Sequence, residues 1–365
     1  MPLLKQIIQA IEKLAPTHLQ ESYDNAGLLT GTPEMEISAA LLCIDITESI
    51  VNEAIETGAN LIISHHPLVF AALKKFTPKT YIERTLLKAI KHDIAIYTAH
   101  TNLDAVEGGV NTHIANLLGL KNQKFLQTAS ANLVKLVTYV PNMHIEKVQR
   151  AIFDAGAGHI GNYDSCSFSV AGTGNFRPLQ GANPFVGEQN KLQHEPETRL
   201  ETVLPANLQK SVVNALIKAH PYEEVAYDIY PMLNQSNNTG MGVIGELPEP
   251  QDEIEFLHHI KSIFKTGALR HTAPLGKKIQ KVALCGGSGS SLLHIAIRAN
   301  AQIYISGDFK YHQFFDADNQ IIIADPGHFE TEQFTTQIFL AIIQENFPNF
   351  AVHITEHNTN PIKYL

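Results

Sequence analysis

Three short stretches of this 365-residue chain carry the side chains that bind metal ions: SHHP with His65 and His66, AHTNLD with His100 and Asp104, and DPGHFETE with Asp325, His328 and Glu332. Imidazole and carboxylate together suit zinc, iron, manganese or nickel. The i, i+4 spacing of His328 and Glu332 places both on one face of a first helical turn. Even five of these side chains, three imidazoles with two carboxylates, exceed what a single tetrahedral ion takes, and a carboxylate can bridge two ions. The pattern therefore points to a dinuclear site with its metals ~3.5–4 Å apart. A lone histidine after a strand is more often a loop or capping residue. What carries the metal reading is the same pattern at three strand ends.

Those ends require strands before them. AALLCIDIT (39–47), LIIS (61–64) and IAIYTA (94–99) read as strands, alternating with the helical periods ESIVNEAIETGA, TYIERTLLKAIKHD and GGVNTHIANLLGL. The rhythm returns in KVALCGG (281–287), IYIS (303–306), IIIAD (321–325) and AVHITEH (351–357), with SSLLHIAIRANA and FETEQFTTQIFLAIIQENF as helices. Short apolar runs between helices are the pattern of an α/β fold, a mostly parallel sheet covered on both faces. Such sheets bind ligands outside the carboxyl ends of their strands. All three clusters fall at that edge.

Residues 126–240 follow a different grammar. LVKLVTYVP, IEKVQRAIFDAG, CSFSVAGTG, TRLETVLP, ANLQKSVVNALIKAH and EVAYDIYPM run β-α-β-β-α-β, the order of a ferredoxin-like unit. The Pro/Gly-rich NFRPLQGANPFVGEQNKLQHEPE reads as a long surface excursion. NQSNNTGMG (234–242) reads as a linker back to the main domain. The expected organisation is a discontinuous α/β domain, 1–125 plus 241–365, interrupted by an inserted α+β domain, 126–240.

Hydrophobic residues make up 44% and charged residues 17%, the balance of a globular chain. Lys and Arg total 27 against 36 Asp and Glu, a formal charge of -9, which argues against a nucleic-acid backbone as main partner. Cys43, Cys166 and Cys285 are too far apart and too few for a disulfide framework, so a reducing compartment fits. Cys43 and Cys285 sit in apolar runs, as core residues would. No signal-peptide stretch and no membrane-length run occurs, so the expectation is a cytoplasmic protein with no membrane partner.

Two features flank the clusters. CGGSGSS (285–291) is a glycine-rich strand-to-helix turn whose amides could hold an anion, although it lacks the Lys of a P-loop and the spacing of GxGxxG. SGDFKYH (306–312) offers Asp308, Lys310 and His312, able to orient a ligand or move a proton; Asp308 could equally be an N-cap. His92, His113, His220 and the pair His258–His259 read as residues of solvated faces.

SYDNAGLLTG, ISHHP, AHTNLD, GGSGSS, SGDFKYH and DPGHFETE, in that order, resemble the NIF-three-like family, whose members are labelled GTP cyclohydrolase I type II homologues. The resemblance covers 1–125 and 240–365, and the central segment looks like the PII-like, CutA-like insertion of the longer bacterial members. It implies two divalent ions per subunit, zinc foremost, with iron, manganese or nickel as alternatives. The implied ligands are His65, His66, Asp104, His328 and a bridging Glu332. His100 and His312 match pocket positions and are candidates for proton transfer. The resemblance further implies a homohexameric toroid.

The expected function is a metal-dependent hydrolase acting on a nucleotide-like, phosphate-bearing or cyclic amide substrate. The competing expectation is a metal-binding regulatory or chaperone-like protein without turnover. A DNA-binding reading has the net charge against it.

Overall fold

The computed structural model describes residues 1–130 and 133–365. The chain packs as two compact units, 1–129 with 237–365, and 130–236. In chain order the strands of the first unit begin with β1 (Gly27–Thr30), β2 (Ala39–Cys43), β3 (Leu61–Ser64), β4 (Ala95–Thr98) and β5 (Lys121–Ser130). The second unit holds β6 (Leu133–Pro141), β7 (Ser167–Phe176), β8 (Gln193–Pro205) and β9 (Tyr227–Pro231). The first unit resumes with β10 (Gln235–Gln251), β11 (Arg270–His271), β12 (Ile279–Ser288), β13 (Ile303–Gly307), β14 (Ile322–Asp325) and β15 (Ala351–Ile354).

The first unit contains two sheets, ordered β1-β4-β3-β2-β15 and β11-β14-β13-β12-β10-β5. Each is parallel at its centre, through β15, β2, β3 and β4 in one and β12, β13 and β14 in the other. Each also carries antiparallel strands, β1 beside β4, β11 beside β14 and β10 beside β12. The fold is thus mixed α/β, with two sheets where a single mostly parallel layer was expected.

Side-chain alternation decides what each sheet face buries. Leu42 and Ile63 share one core with Leu284 and Ile305 of the second sheet. The same core takes in Ile7 and Ile11 of the helix Leu4–Leu14 and Phe339 of Thr335–Asn346. Leu41, Cys43 and Ile62 face the other way, under the helices Glu48–Thr57 and Tyr81–Lys91. Both of those helices start where the sequence provides an oxygen for the free amides: Thr47 accepts from Ile50 N, and Thr80 with Glu83 forms a capping box. Cys285 and Tyr304 line the outer face of the second sheet.

The second unit runs β-α-β-β-α-β, its antiparallel sheet ordered β7-β8-β6-β9 over the helices Ile145–Asp154 and Gln209–Ala219. Val148, Ile152, Val212 and Leu216 of those helices pack on Leu136 and Leu200.

Three local expectations are corrected. Residues 234–242 are no linker but open the long strand β10, whose Val243–Glu246 stretch is in register with Lys281–Leu284. β5 was not anticipated, because an edge strand of mixed polarity leaves no apolar run. The expected long helix after Asp325 is two, His328–Glu332 and Thr335–Asn346. Among the described residues no helix is long and apolar enough to cross a membrane.

Candidate metal centre

Hydrogen bonds carry the ladder beyond β3, so that His65 N and His66 N donate to the carbonyls of Cys43 and Ile44 at 3.2 and 2.9 Å. Ser64 Oγ donates to His66 O at 2.9 Å and shares a hydrogen bond with Thr98, which fixes the turn. After β4, His100 leads into the helical turn Thr101–Asp104. Asn102 locks that turn: its Oδ1 accepts from His100 N at 2.9 Å and its Nδ2 donates to Ala15 O at 2.7 Å. After β14, the helix His328–Glu332 presents its first and last side chains together.

Four imidazoles are each anchored through Nδ1. His65 reaches Ala99 O at 3.0 Å, His66 Asp45 at 2.8 Å, His100 Asp24 at 2.8 Å and His328 Asp308 at 2.7 Å. A carbonyl or carboxylate can only accept, so Nδ1 donates and Nε2 is left for a ligand. His66 Nε2 lies 2.8 Å and His328 Nε2 3.0 Å from Glu332 Oε2. The other oxygen, Oε1, faces His65 Nε2 at 3.6 Å. Ligand atoms of His65, His66 and His100 lie within 4.8 Å of one another, and so do those of His66, His328 and Glu332.

The donor set fits cations on two counts. His65 Nε2 and Asp104 Oδ1 are buried, make no hydrogen bond among the described residues and stand 3.7 Å apart. Orphaned buried polar atoms each cost ~1–3 kcal/mol, and a shared cation satisfies both. Asp24, Asp45, Asp104, Asp308 and Glu332 also place five carboxylates among four imidazoles, a deficit that two divalent ions offset almost fully. The electrostatics of the site agree. Burial, and then the charge of Glu332, lifts Asp104 to about 7. Burial opposes charge on His66 and His328, yet Asp45, Asp308 and Glu332 raise them to about 9 and about 11. Positive charge is stabilised here.

His65, His66, Asp104, His328 and Glu332 therefore come together, and His100 joins them. His312 does not. Asp308 turns the chain at φ 59°, Phe309 is buried, and His312 emerges exposed beside Tyr311 and Phe315. Lys310 is likewise exposed. Asp308 proves to hold His328, and is not an N-cap. Three amides of the glycine-rich turn are already engaged within the protein: Gly286, Gly287 and Gly289 donate to Asn111, Thr331 and Ser306. Asp325 stays behind the site, paired with Arg270 and accepting from Phe309 N and Gly327 N at 3.0 Å each. His220 is buried and bonded to Tyr139 O at 3.0 Å, not solvated.

Sequence reasoning passed over Asp24 and Asp45. Asp45 sits two residues past β2, at the same carboxyl edge as the other clusters, and that position was a usable signal. Thr359 Oγ1 donates to its second oxygen at 2.7 Å. Asp45→Asn leaves His66 without its anionic anchor and is expected to cost 10–100-fold in metal affinity, read by chelator competition. The centre opens into an 820 Å³ cleft whose walls include Tyr23, Phe70, Tyr81 and Cys285.

Over residues 2–361 the chain matches the Duf34/NIF3 (NGG1p interacting factor 3) family. It is 43% identical over 324 residues, 88% of this chain and 87% of the relative, to a GTP cyclohydrolase 1 type 2 homolog of Halalkalibacterium halodurans. It is 39% identical to a Bacillus subtilis protein of the same name, covering 99% of this chain and 98% of that one. A solved Bacillus cereus protein related to NIF3 superposes with a TM-score of 0.79 at 38% identity, covering 100% of this chain and 99% of that one.

Proposed function

This chain belongs to the Duf34/NIF3 family, and from that premise we propose that it binds two divalent metal ions and uses them as a hydrolase on a nucleotide-like, phosphate-bearing or cyclic amide substrate. The observation that carries the proposal is the division of labour within Glu332, whose Oε2 meets His66 and His328 while Oε1 faces His65. One ion would then take His65 and Asp104, the other His66 and His328, with Glu332 bridging. Zinc suits the set best, and iron, manganese and nickel share its ligand preferences. Bound there, the ions would polarise a substrate oxygen and acidify a water molecule.

The chain's own residues do the rest. Asp45 and Asp308 keep His66 and His328 in the tautomer that offers Nε2. His100, whose Nδ1 is oriented by the Asp24 carboxylate, would accept and return a proton through Nε2. Buried Cys285 and half-buried Gly286 line one part of the cleft.

The test is turnover by protein of defined metal content against nucleotides, phosphodiesters and cyclic amides. Any activity is expected to vanish with chelator and with His65→Ala. A flat result across the panel, with both ions tightly held, would leave the non-catalytic regulatory or chaperone-like reading. The homohexameric toroid and the PII-like kinship of residues 126–240 belong to the same proposal. The β-α-β-β-α-β order supports the kinship, and sedimentation of the full chain tests the ring.

A further inference from the structure

The second unit contains a 500 Å³ cavity that the metal chemistry does not use. Its wall on one side is the Pro/Gly-rich excursion after β7, which is therefore more than a surface loop. Glu223 Oε1 accepts from Asn183 N at 2.9 Å and fastens that loop across the opening. Aromatic rings stand around the space, with Tyr222 5.8 Å from Phe176 and 6.2 Å from Phe185 between centroids.

At the base lies Glu197, only 6% exposed. Its Oε1 accepts from the Tyr222 hydroxyl at 2.7 Å. Among the described residues Oε2 accepts no hydrogen bond, and it is not among the fully buried unpartnered atoms, so it stays open to the cavity that Glu197 lines. Gly174 leaves the room that Oε2 occupies, since a Cβ there would come within 2.0 Å of it. The charged groups lining the cavity are Arg177, Glu197, Glu223 and Glu224, one cation against three anions. Arg177 is exposed.

We propose that this cavity is a binding site for a small, flat organic cation, its apolar body between the Phe176, Phe185 and Tyr222 rings and its N–H head on Glu197 Oε2. An amidinium or ammonium head satisfies the open carboxylate oxygen, and the ring faces favour a cation above them. An anionic ligand would meet the Glu197, Glu223 and Glu224 carboxylates. The site stands independently of the metal centre.

Full-length protein titrated with benzamidine, and separately with its neutral isostere benzamide, tests this by ligand-observed NMR. The expected result is benzamidine binding with a Kd on the order of 1 mM or tighter, and at least tenfold weaker benzamide binding. Glu197→Gln, which keeps shape and an acceptor for Tyr222, is expected to erase the difference between the two. Phe185→Ala, at a ring that is 56% exposed and so dispensable for folding, is expected to weaken both probes. Equal affinity for the two probes, unchanged discrimination in Glu197→Gln, or binding indifferent to Phe185→Ala would each overturn the proposal.

Discussion

Glu332→Gln is expected to empty both halves of the metal centre at once. Glu332 is 3% exposed and lies between His65 on one oxygen and His66 and His328 on the other. Glutamine keeps the shape but removes the negative charge, and turns N–H donors toward one of the two ions. Loss of a first ligand should exceed the 10–100-fold cost of losing a supporting one. Affinity is therefore expected to fall more than 100-fold, about 2.8 kcal/mol. Metal analysis after dialysis against a chelator should find two ions per chain in the parent and a background level in the variant. The thermal stabilisation that added zinc confers, ~2.7 kcal/mol at a hundredfold excess over Kd, should disappear with it. Glu332→Asp keeps the charge but shortens the reach, and is expected to retain part of the metal. A Glu332→Gln protein that still holds two ions would disprove the bridging role.

How much of this was legible in the sequence depends on what each residue needed from the chain. The ligand clusters could be read because strand ends are local: LIIS and IAIYTA announce themselves as buried runs, and the histidines follow immediately. Their supports were harder. Asp24, Asp45 and Thr359 act across separations of 76, 21 and 314 residues, and nothing local marks a carboxylate as the partner of a distant imidazole. His312 stands apart from the cluster for the opposite reason. Its stretch is close to the site in sequence, but the positive-φ turn at Asp308 and the burial of Phe309 direct the chain outward. The division into two sheets was hidden because a parallel run looks the same in either. β5 and the start of β10 were hidden because mixed polar strands resemble linkers.

Gly287→Ala is the second large effect, and it turns the glycine-rich motif from an anion loop into a clearance for the metal centre. Gly287 adopts φ +58°, and a Cβ there would stand 2.2 Å from Glu332 Oε1 and 3.2 Å from His328 Cε1. Carboxylate ends often swing aside, but this one is buried and tied to His66 and His328, so yielding means leaving the site. The backbone strain costs ~1–2 kcal/mol, and at ~2–4 °C per kcal/mol that lowers Tm by about 2–8 °C. The displaced carboxylate is expected to lower metal affinity more than tenfold while far-UV circular dichroism stays native. Gly58→Ala separates the two contributions. Gly58 has φ +73° and nothing within 4 Å of its added Cβ, so it carries similar strain with no clash. It should lose similar stability and no metal. If Gly287→Ala binds metal as tightly as Gly58→Ala, Glu332 Oε1 does not occupy the position from which it could reach the His65 side. If phosphate binding falls while metal binding holds, the turn's amides serve an anion after all.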